Sequence, residues 1–397
     1  MKHVGAVHTA LKTFVANPGL LRVSSAINWF MLRYMLKFKP VAVGGRVILH
    51  SHLPPLNSKA YTRFVKEHLL SRAAGPSHAQ IGVTNACPQN CIYCYNKRRT
   101  GRPMSTELIK EVIKGLKDLG VCWLGFTGGE PLMNRDLVSI TDSVGEDCAI
   151  KLFTTGCGLT PQLASDLRNA GLFSVSVSLD HWNREEHDRV RRYEGAFDTA
   201  LRAIDMFKNL GDVHVSVSSV LSKGMLRDGS VERFLQFVSS LDVHEAWLSE
   251  TKPSLEGDGS ADQIITDEER NRLIALQDRH NKDGSMTVNY LGHFESKDHF
   301  GCSAGNKMVY VDAFGHVSPC VFTPISMGNV NDRPVRDIVG EMRTLFPTED
   351  RCFCNTNFDL IRRWHNETAP LSREETLSML REVRFGPMSG FYRLYYH

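Results

Sequence analysis

The sequence predicts an α/β protein built around a partial, TIM-like (β/α)6 barrel, with a mainly helical N-terminal extension and a small C-terminal unit stapled by cysteines. Three observations carry this. Six strand-like runs alternate with amphipathic helices at roughly 25-residue spacing over residues 77–285, the signature of a curled parallel sheet. The rhythm breaks over 286–363, where shorter runs, glycine turns and four cysteines replace it. Residues 1–76 show no alternation of this kind, and 364–397 hold one helical stretch and an aromatic tail.

Taken in order, the extension is distinguished by charge. Residues 1–66 contain ten Lys or Arg and no acid, Glu67 being the first, while the remainder carries 37 basic and 44 acidic residues. Within it, 19–40 crowds Trp29, Phe30, Tyr34 and several Leu or Met around Arg33, Lys37 and Lys39. That stretch is too short to span a bilayer but suits a helix lying in a membrane interface, or one packed on the body with its cations solvated. Ala73 to Pro76 reads as a linker.

The strands are expected at 79–84, 121–127, 149–154, 173–179, 213–220 and 243–249. A helix near 106–119 has Ser105 as N-cap and Leu108, Val112, Leu116 and Leu119 on one face. The next, near 161–170, is capped by Thr160, opened by Pro161 and stopped by Gly171. A third, near 196–210, turns Phe197, Leu201 and Ile204 inward. The tail contributes a helix over 372–384 and ends in Phe391, Tyr392, Tyr395 and Tyr396.

With 42% apolar and 23% charged residues, the composition excludes a mainly disordered chain. No run of about 20 apolar residues is present, and the chain does not open in signal-peptide order. A reducing, cytoplasmic setting is the expectation, with attachment at the membrane surface if the basic front serves it. There, closely spaced cysteines read first as metal ligands. A basic front also raises nucleic acid, but no reader motif accompanies it.

The chemistry begins directly after the first barrel strand, in Asn85-Ala86-Cys87-Pro88-Gln89-Asn90-Cys91-Ile92-Tyr93-Cys94. Three thiolates on one loop suit a [4Fe–4S] cube with one iron left open. The alternatives are zinc completed from elsewhere in the chain, and a disulfide or plain core thiols.

This loop resembles the signature of the radical S-adenosylmethionine (SAM) enzymes: Cys-x3-Cys-x-aromatic-Cys, matched by Cys87, Cys91, Tyr93 and Cys94. The family's Gly-Gly-Glu-Pro motif is matched after the second strand by Gly128, Gly129, Glu130 and Pro131. The resemblance covers about 79–363. It implies that the open iron chelates the amino and carboxylate groups of SAM, so that Cys87, Cys91 and Cys94 hold the catalytic cluster. Gly128 and Gly129 would let the backbone approach the methionine moiety, and Glu130 would accept from its ammonium. Tyr93 would lie beside the adenine. Ser178 and Asp180 resemble the family's Ser-x-Asp, with Ser178 near the ribose or carboxylate, and Arg191 would meet the SAM carboxylate. Helix capping or a surface pair is the plainer reading of those three. Ser218 is a weaker candidate. Cys157 is expected at the barrel mouth, and Cys122 and Cys148 in the core.

The second cysteine set, Cys302 with Gly315 and Cys320, resembles the opening of the SPASM or twitch extension, which makes the small domain an iron–sulfur one. Only Cys352 and Cys354 remain to complete it, so one auxiliary [4Fe–4S] cluster is expected. The Cys352-x-Cys354 spacing leaves open whether four thiolates bind it, or three with another ligand, or whether the site is a structural zinc.

The resemblance implies reductive cleavage of SAM to a 5′-deoxyadenosyl radical that takes hydrogen from an unactivated carbon. It also implies an external one-electron reductant such as flavodoxin or ferredoxin. The apolar, basic front favours a lipid or other hydrophobic substrate. A peptide or protein maturase of the RiPP type is the second reading. A non-catalytic iron–sulfur electron-transfer protein, a third, would not need the Gly-Gly-Glu-Pro loop.

Overall fold

A computed structural model describes residues 3–72, 75–252, 264–365 and 369–396. Of the linker stretch, residues 73 and 74 lie outside these. All six expected barrel strands are present. After a hairpin of β1 (Val41–Val43) and β2 (Arg46–Ile48), they run β3 (His78–Thr84), β4 (Trp123–Gly128), β5 (Ala149–Thr154), β6 (Leu172–Ser178), β7 (His214–Leu221) and β8 (Glu245–Glu250). Each pairs parallel with the next. Their near-continuous burial is what a sheet covered on both faces requires.

The sheet is wider than six strands. β9 (Thr287–Tyr290) adds parallel to β8, and β10 (Met308–Val311) adds parallel to β3 at the far edge, with β11 (Val317–Ser318) antiparallel outside it. All three lie within the 286–363 segment read as a separate small unit, so strand pairing crosses the boundary drawn where the βα rhythm stops. The sheet stays open, with β9 and β11 at its edges.

The covering helices follow their sequence signals. Ser105 accepts from the Leu108 amide and caps Thr106–Asp118, and Thr160 does the same for Pro161–Asn169. On the first, Ile109, Val112, Ile113 and Leu116 are buried, while Leu108 and Leu119 flank the stripe rather than centre it. The third covering helix, Ala196–Lys208, buries Phe197 and Ile204. In the tail, Arg373–Leu380 opens on a Ser372–Glu375 capping box.

The extension folds onto the barrel. Helices Ala6–Ala16 and Ser25–Met35 precede the β1–β2 hairpin, whose two-residue turn, Gly44 and Gly45, has φ of 54° and 77°. The loop that follows closes the N-terminal end of the sheet. The Ser51 amide and hydroxyl donate to the Glu245 carboxylate at 2.7 and 3.0 Å, the Trp123 indole donates to the Ser51 carbonyl at 2.9 Å, and Lys151 Nζ donates to the Ser51 hydroxyl. Trp123 and Glu245 are the first residues of their strands, opposite the end that carries the cysteine loop.

Neighbouring aromatics on helix Ser25–Met35 have separate fates. Phe30 packs against Phe300 and Phe391, with ring centroids 5.5 and 5.1 Å apart, whereas Trp29 is 62% exposed. The aromatic tail is thereby explained: Phe391, Tyr392 and Tyr395, on helix Gly390–Tyr396, share one core with Ile27, Met31 and Tyr34. Among the described residues, no helix is long and apolar enough to cross a membrane.

Candidate active site

The cysteine loop leaves β3 at the C-terminal end of the sheet, as the ligand-binding edge of a parallel sheet requires. It is stitched to the Gly-Gly-Glu-Pro turn. The Gly129 amide donates to the Thr84 carbonyl and the Glu130 amide to the Ala86 carbonyl, both at 2.7 Å. Side chains would not fit here. A Cβ at Gly128 would stand 2.2 Å from the Thr84 oxygen, and one at Gly129 2.2 Å from the Ala86 oxygen. Gly128 also has φ of 128°. The close approach these glycines permit is to the cluster loop itself, and both still line the cavity below.

Glu130 is held by a full set of donors from its own fold. Its carboxylate is fully buried and accepts from the Thr154 and Thr155 hydroxyls, at 2.6 and 2.5 Å, and from the Thr155 and Leu132 amides, at 2.6 and 3.1 Å. It does not line the cavity. Burial raises its pKa while those donors pull it back. The geometry makes it a post tying the turn after β4 to the end of β5. Pro131 opens the short buried turn that follows.

Tyr93, Asp180 and Arg191 form one unit. The Tyr93 hydroxyl donates to Asp180 at 2.6 Å, Arg191 pairs with the same carboxylate at 2.8 Å, and the Val220 amide donates to its other oxygen at 2.9 Å. The guanidinium lies 5.6 Å from the Tyr93 ring centre and 3.8 Å from the Cys91 sulfur. These are neither helix caps nor surface pairs. Ser178 and Ser218, opposite each other in register on β6 and β7, both line the cavity. Cys157 sits beside Gln89, 3.8 Å from its amide nitrogen, and does not line it. Cys122 and Cys148 are buried in the body.

The second cysteine set converges. Cys302 contacts Cys352, Cys352 contacts Cys354, and Cys354 contacts Cys320. Thr323 Oγ1 lies 3.0 Å from Cys320 and 3.3 Å from Cys354. The tight Cys352-x-Cys354 spacing thus still brings both thiols to one point. These neighbouring thiols, together with the Lys252 ammonium 3.2 Å from its sulfur, hold the Cys352 thiol well below the ordinary range.

Both sets line a single cavity of about 510 Å³, within the usual range for a small-molecule site. Its floor is supplied by the extension. His50 and His52 enter from the closing loop, and His52 stacks on Trp247 at 3.6 Å. Phe64, Phe153, Phe300 and Phe391 add apolar wall. Burial pushes His50 down to about 3 and His78 to about 4, so these two rings are uncharged at pH 7. Arg191 and Lys97 bring positive charge to the first cysteine set, Lys307 also lines the cavity, and at the auxiliary end Lys252 meets Glu295 at 2.8 Å and Glu250 at 3.3 Å. Neither the histidine floor nor Lys252 was expected from sequence. The His50-Ser51-His52 triplet was the only available signal.

The donor sets fit iron–sulfur clusters: three thiols with one coordination position free, and four thiols that close a site. Comparisons with known proteins agree. Residues 81–238 match the radical SAM superfamily model, and residues 302–355 match SPASM, an iron–sulfur cluster-binding domain. The AdoMet-dependent heme synthase of Methanosarcina barkeri is 26% identical over 283 residues, covering 64% of this chain and 80% of that one. Mycofactocin maturase MftC of Mycolicibacterium smegmatis is 28% identical over 257 residues, covering 60% and 63%. The crystal structure of Streptococcus suis SuiB bound to the precursor peptide SuiA superposes with a TM-score of 0.57 at 14% identity, covering 72% and 70%. At that identity the likeness is one of fold.

Proposed function

Since this chain is a radical SAM enzyme with a C-terminal SPASM domain, we propose that it abstracts hydrogen from an unactivated carbon of a hydrophobic substrate held in the shared cavity. The observation that carries this reading is the wall of that cavity: aromatic and apolar, with neutral histidines, between the two cysteine sets.

A [4Fe–4S] cluster on Cys87, Cys91 and Cys94 supplies, when bound and reduced, the electron that splits SAM into methionine and a 5′-deoxyadenosyl radical. The chain's own residues hold that reaction in place. Arg191 and Asp180 brace the loop that carries Cys91, and Tyr93 is fixed by the same carboxylate. Ser178 and Ser218 offer hydroxyls to the nucleoside or carboxylate side of SAM. Cys302, Cys320, Cys352 and Cys354 hold the auxiliary cluster, with Lys252 beside it. The electron comes from an external carrier such as a flavodoxin or ferredoxin.

A second reading, peptide maturation, is favoured by the names of two similar proteins, the mycofactocin maturase and SuiB with its precursor peptide. One experiment separates the two. Reconstituted enzyme with SAM and dithionite is offered apolar-metabolite and peptide fractions from deuterated cells, and 5′-deoxyadenosine is analysed by mass spectrometry. Deuterium from the apolar fraction supports the hydrophobic-substrate reading. Deuterium from the peptide fraction alone replaces it with the maturase reading. No 5′-deoxyadenosine at all would leave an electron-transfer protein.

A further inference from the structure

Helix Ala6–Ala16 is amphipathic the wrong way round for a helix whose only partner is its own protein. Thr9 and Thr13 face inward, 1% and 3% exposed, and the Thr13 hydroxyl turns back to the Thr9 carbonyl at 2.7 Å. Outward, at spacings that place them on one face, stand Val7, Leu11, Phe14 and Val15, exposed by 85, 63, 37 and 75%. The next segments repeat the pattern. Leu21 is 77% exposed, and Trp29 and Leu36, seven residues apart around helix Ser25–Met35, are 62% and 59% exposed. Apolar side chains exposed singly are ordinary, but Val7, Leu11, Phe14 and Val15 gathered on one helix face form a patch of the kind that meets a partner.

Charge identifies the partner. Lys12, Arg22 and Arg33 are exposed among these apolar residues, and none of them forms an ion pair with another described residue. No acid precedes Glu67. A second copy of the same face would set cation against cation. A surface that is apolar in depth and negative at its rim satisfies both features, and an anionic lipid bilayer has that profile.

We propose that the outward face of helix Ala6–Ala16, with Leu21, Trp29 and Leu36, docks this enzyme onto anionic membranes. The helix lies in the headgroup plane, its Val and Leu side chains reach the acyl boundary, and Lys12, Arg22 and Arg33 meet lipid phosphates. Phe30, by contrast, belongs to the internal core and takes no part. The docking face is independent of the substrate.

The full-length, cluster-loaded protein is sedimented with phosphatidylcholine vesicles, with and without phosphatidylglycerol. The expected result is co-sedimentation with the anionic vesicles alone, and release at about 1 M salt, where charges are screened over roughly 3 Å. Because Leu11 and Val15 make no internal packing, the Leu11→Ser/Val15→Ser double variant should keep the wild-type melting temperature and bind about tenfold more weakly. Lys12→Glu/Arg22→Glu should lose binding to a similar degree. Wild-type protein that ignores anionic vesicles at low salt overturns the proposal, as does a double variant that binds undiminished. A homodimer in analytical ultracentrifugation that the Leu11→Ser/Val15→Ser change dissociates would assign the face to a second copy instead.

Discussion

Arg99, at the end of the loop that carries Cys87, Cys91 and Cys94, forms an ion pair with Asp312 just after β10, at 2.9 Å and with side chains 1% and 0% exposed. The same guanidinium donates to the Thr323 carbonyl at 3.1 Å, and the Thr323 hydroxyl touches Cys320 and Cys354. One side chain therefore joins the loop of the first cluster to the wall of the second. Removing it strands a buried carboxylate. Arg99→Ala should cost about 3–5 kcal/mol of stability, read as a lower thermal midpoint, and Arg99→Ala/Asp312→Ala should recover part of that loss. Equal melting of wild type and the single variant would show that the pair does not couple the two units.

Iron content tests the two donor sets. Two cubes predict about eight irons per chain after anaerobic reconstitution. Cys87→Ala/Cys91→Ala/Cys94→Ala should retain about half and lose SAM cleavage. Cys302→Ala or Cys320→Ala should lose the other half and loosen the C-terminal unit, because metal binding there is also folding energy. Iron quantitation with EPR reads both. A triple variant that still makes 5′-deoxyadenosine would remove the first assignment.

Lys252 places a positive charge 3.2 Å from the Cys352 sulfur. Hydrogen bonds and charge at cluster sulfurs raise reduction potentials. Lys252→Met should lower the potential of the auxiliary cluster by on the order of tens of millivolts, with Lys252→Arg close to wild type. Redox titration followed by EPR measures this directly. An unchanged potential in the Met variant would confine Lys252 to pairing with Glu250 and Glu295.

The histidine floor predicts acid sensitivity. His50 and His78 are held near 3 and 4 in the folded protein, chiefly by burial, against about 6.5 when unfolded. Below pH 6.5 the unfolded chain takes up protons that the folded chain refuses, so stability is complete above that pH and falls toward pH 4. Each residue costs roughly 1.4 kcal/mol per pH unit across this window. Chemical denaturation between pH 7.5 and pH 5 should show the decline, and His78→Gln should flatten it. A profile flat to pH 5 would mean that these rings are protonated in the folded state.

The barrel was readable because its strands are short, apolar and evenly spaced, and both cysteine sets were readable because thiol spacing is a local property. The structural partners of Glu130 were not legible for the opposite reason. Its partners, Thr154 and Thr155, belong to the next strand, and only the folded sheet shows that they consume its carboxylate. Lys252, Arg99 and His52 were missed because each acts across long separations in the chain, with no periodicity to announce it. The extension's basic, aromatic texture pointed to a surface function. Which residues face outward depends on packing against Phe300 and Phe391, so Trp29 and Phe30 could not be told apart in sequence.

The way the sheet is completed also orders biosynthesis. As the chain leaves the ribosome, β3 to β8 emerge first, and both β3 and β8 then present bare edges. Their partners arrive last: β9 covers β8, and β10 returns to cover β3 beside residues made far earlier. Such long-range closure is slow and leaves an interval open to edge-to-edge aggregation. A nascent chain released before residue 311 would hold every ligand of the first cluster, yet the strand that flanks their loop would be missing. The packing of the cysteine loop, including the Arg99–Asp312 pair, is thus completed only with the last strands of the sheet, and the chain's need for chaperones should peak in that interval.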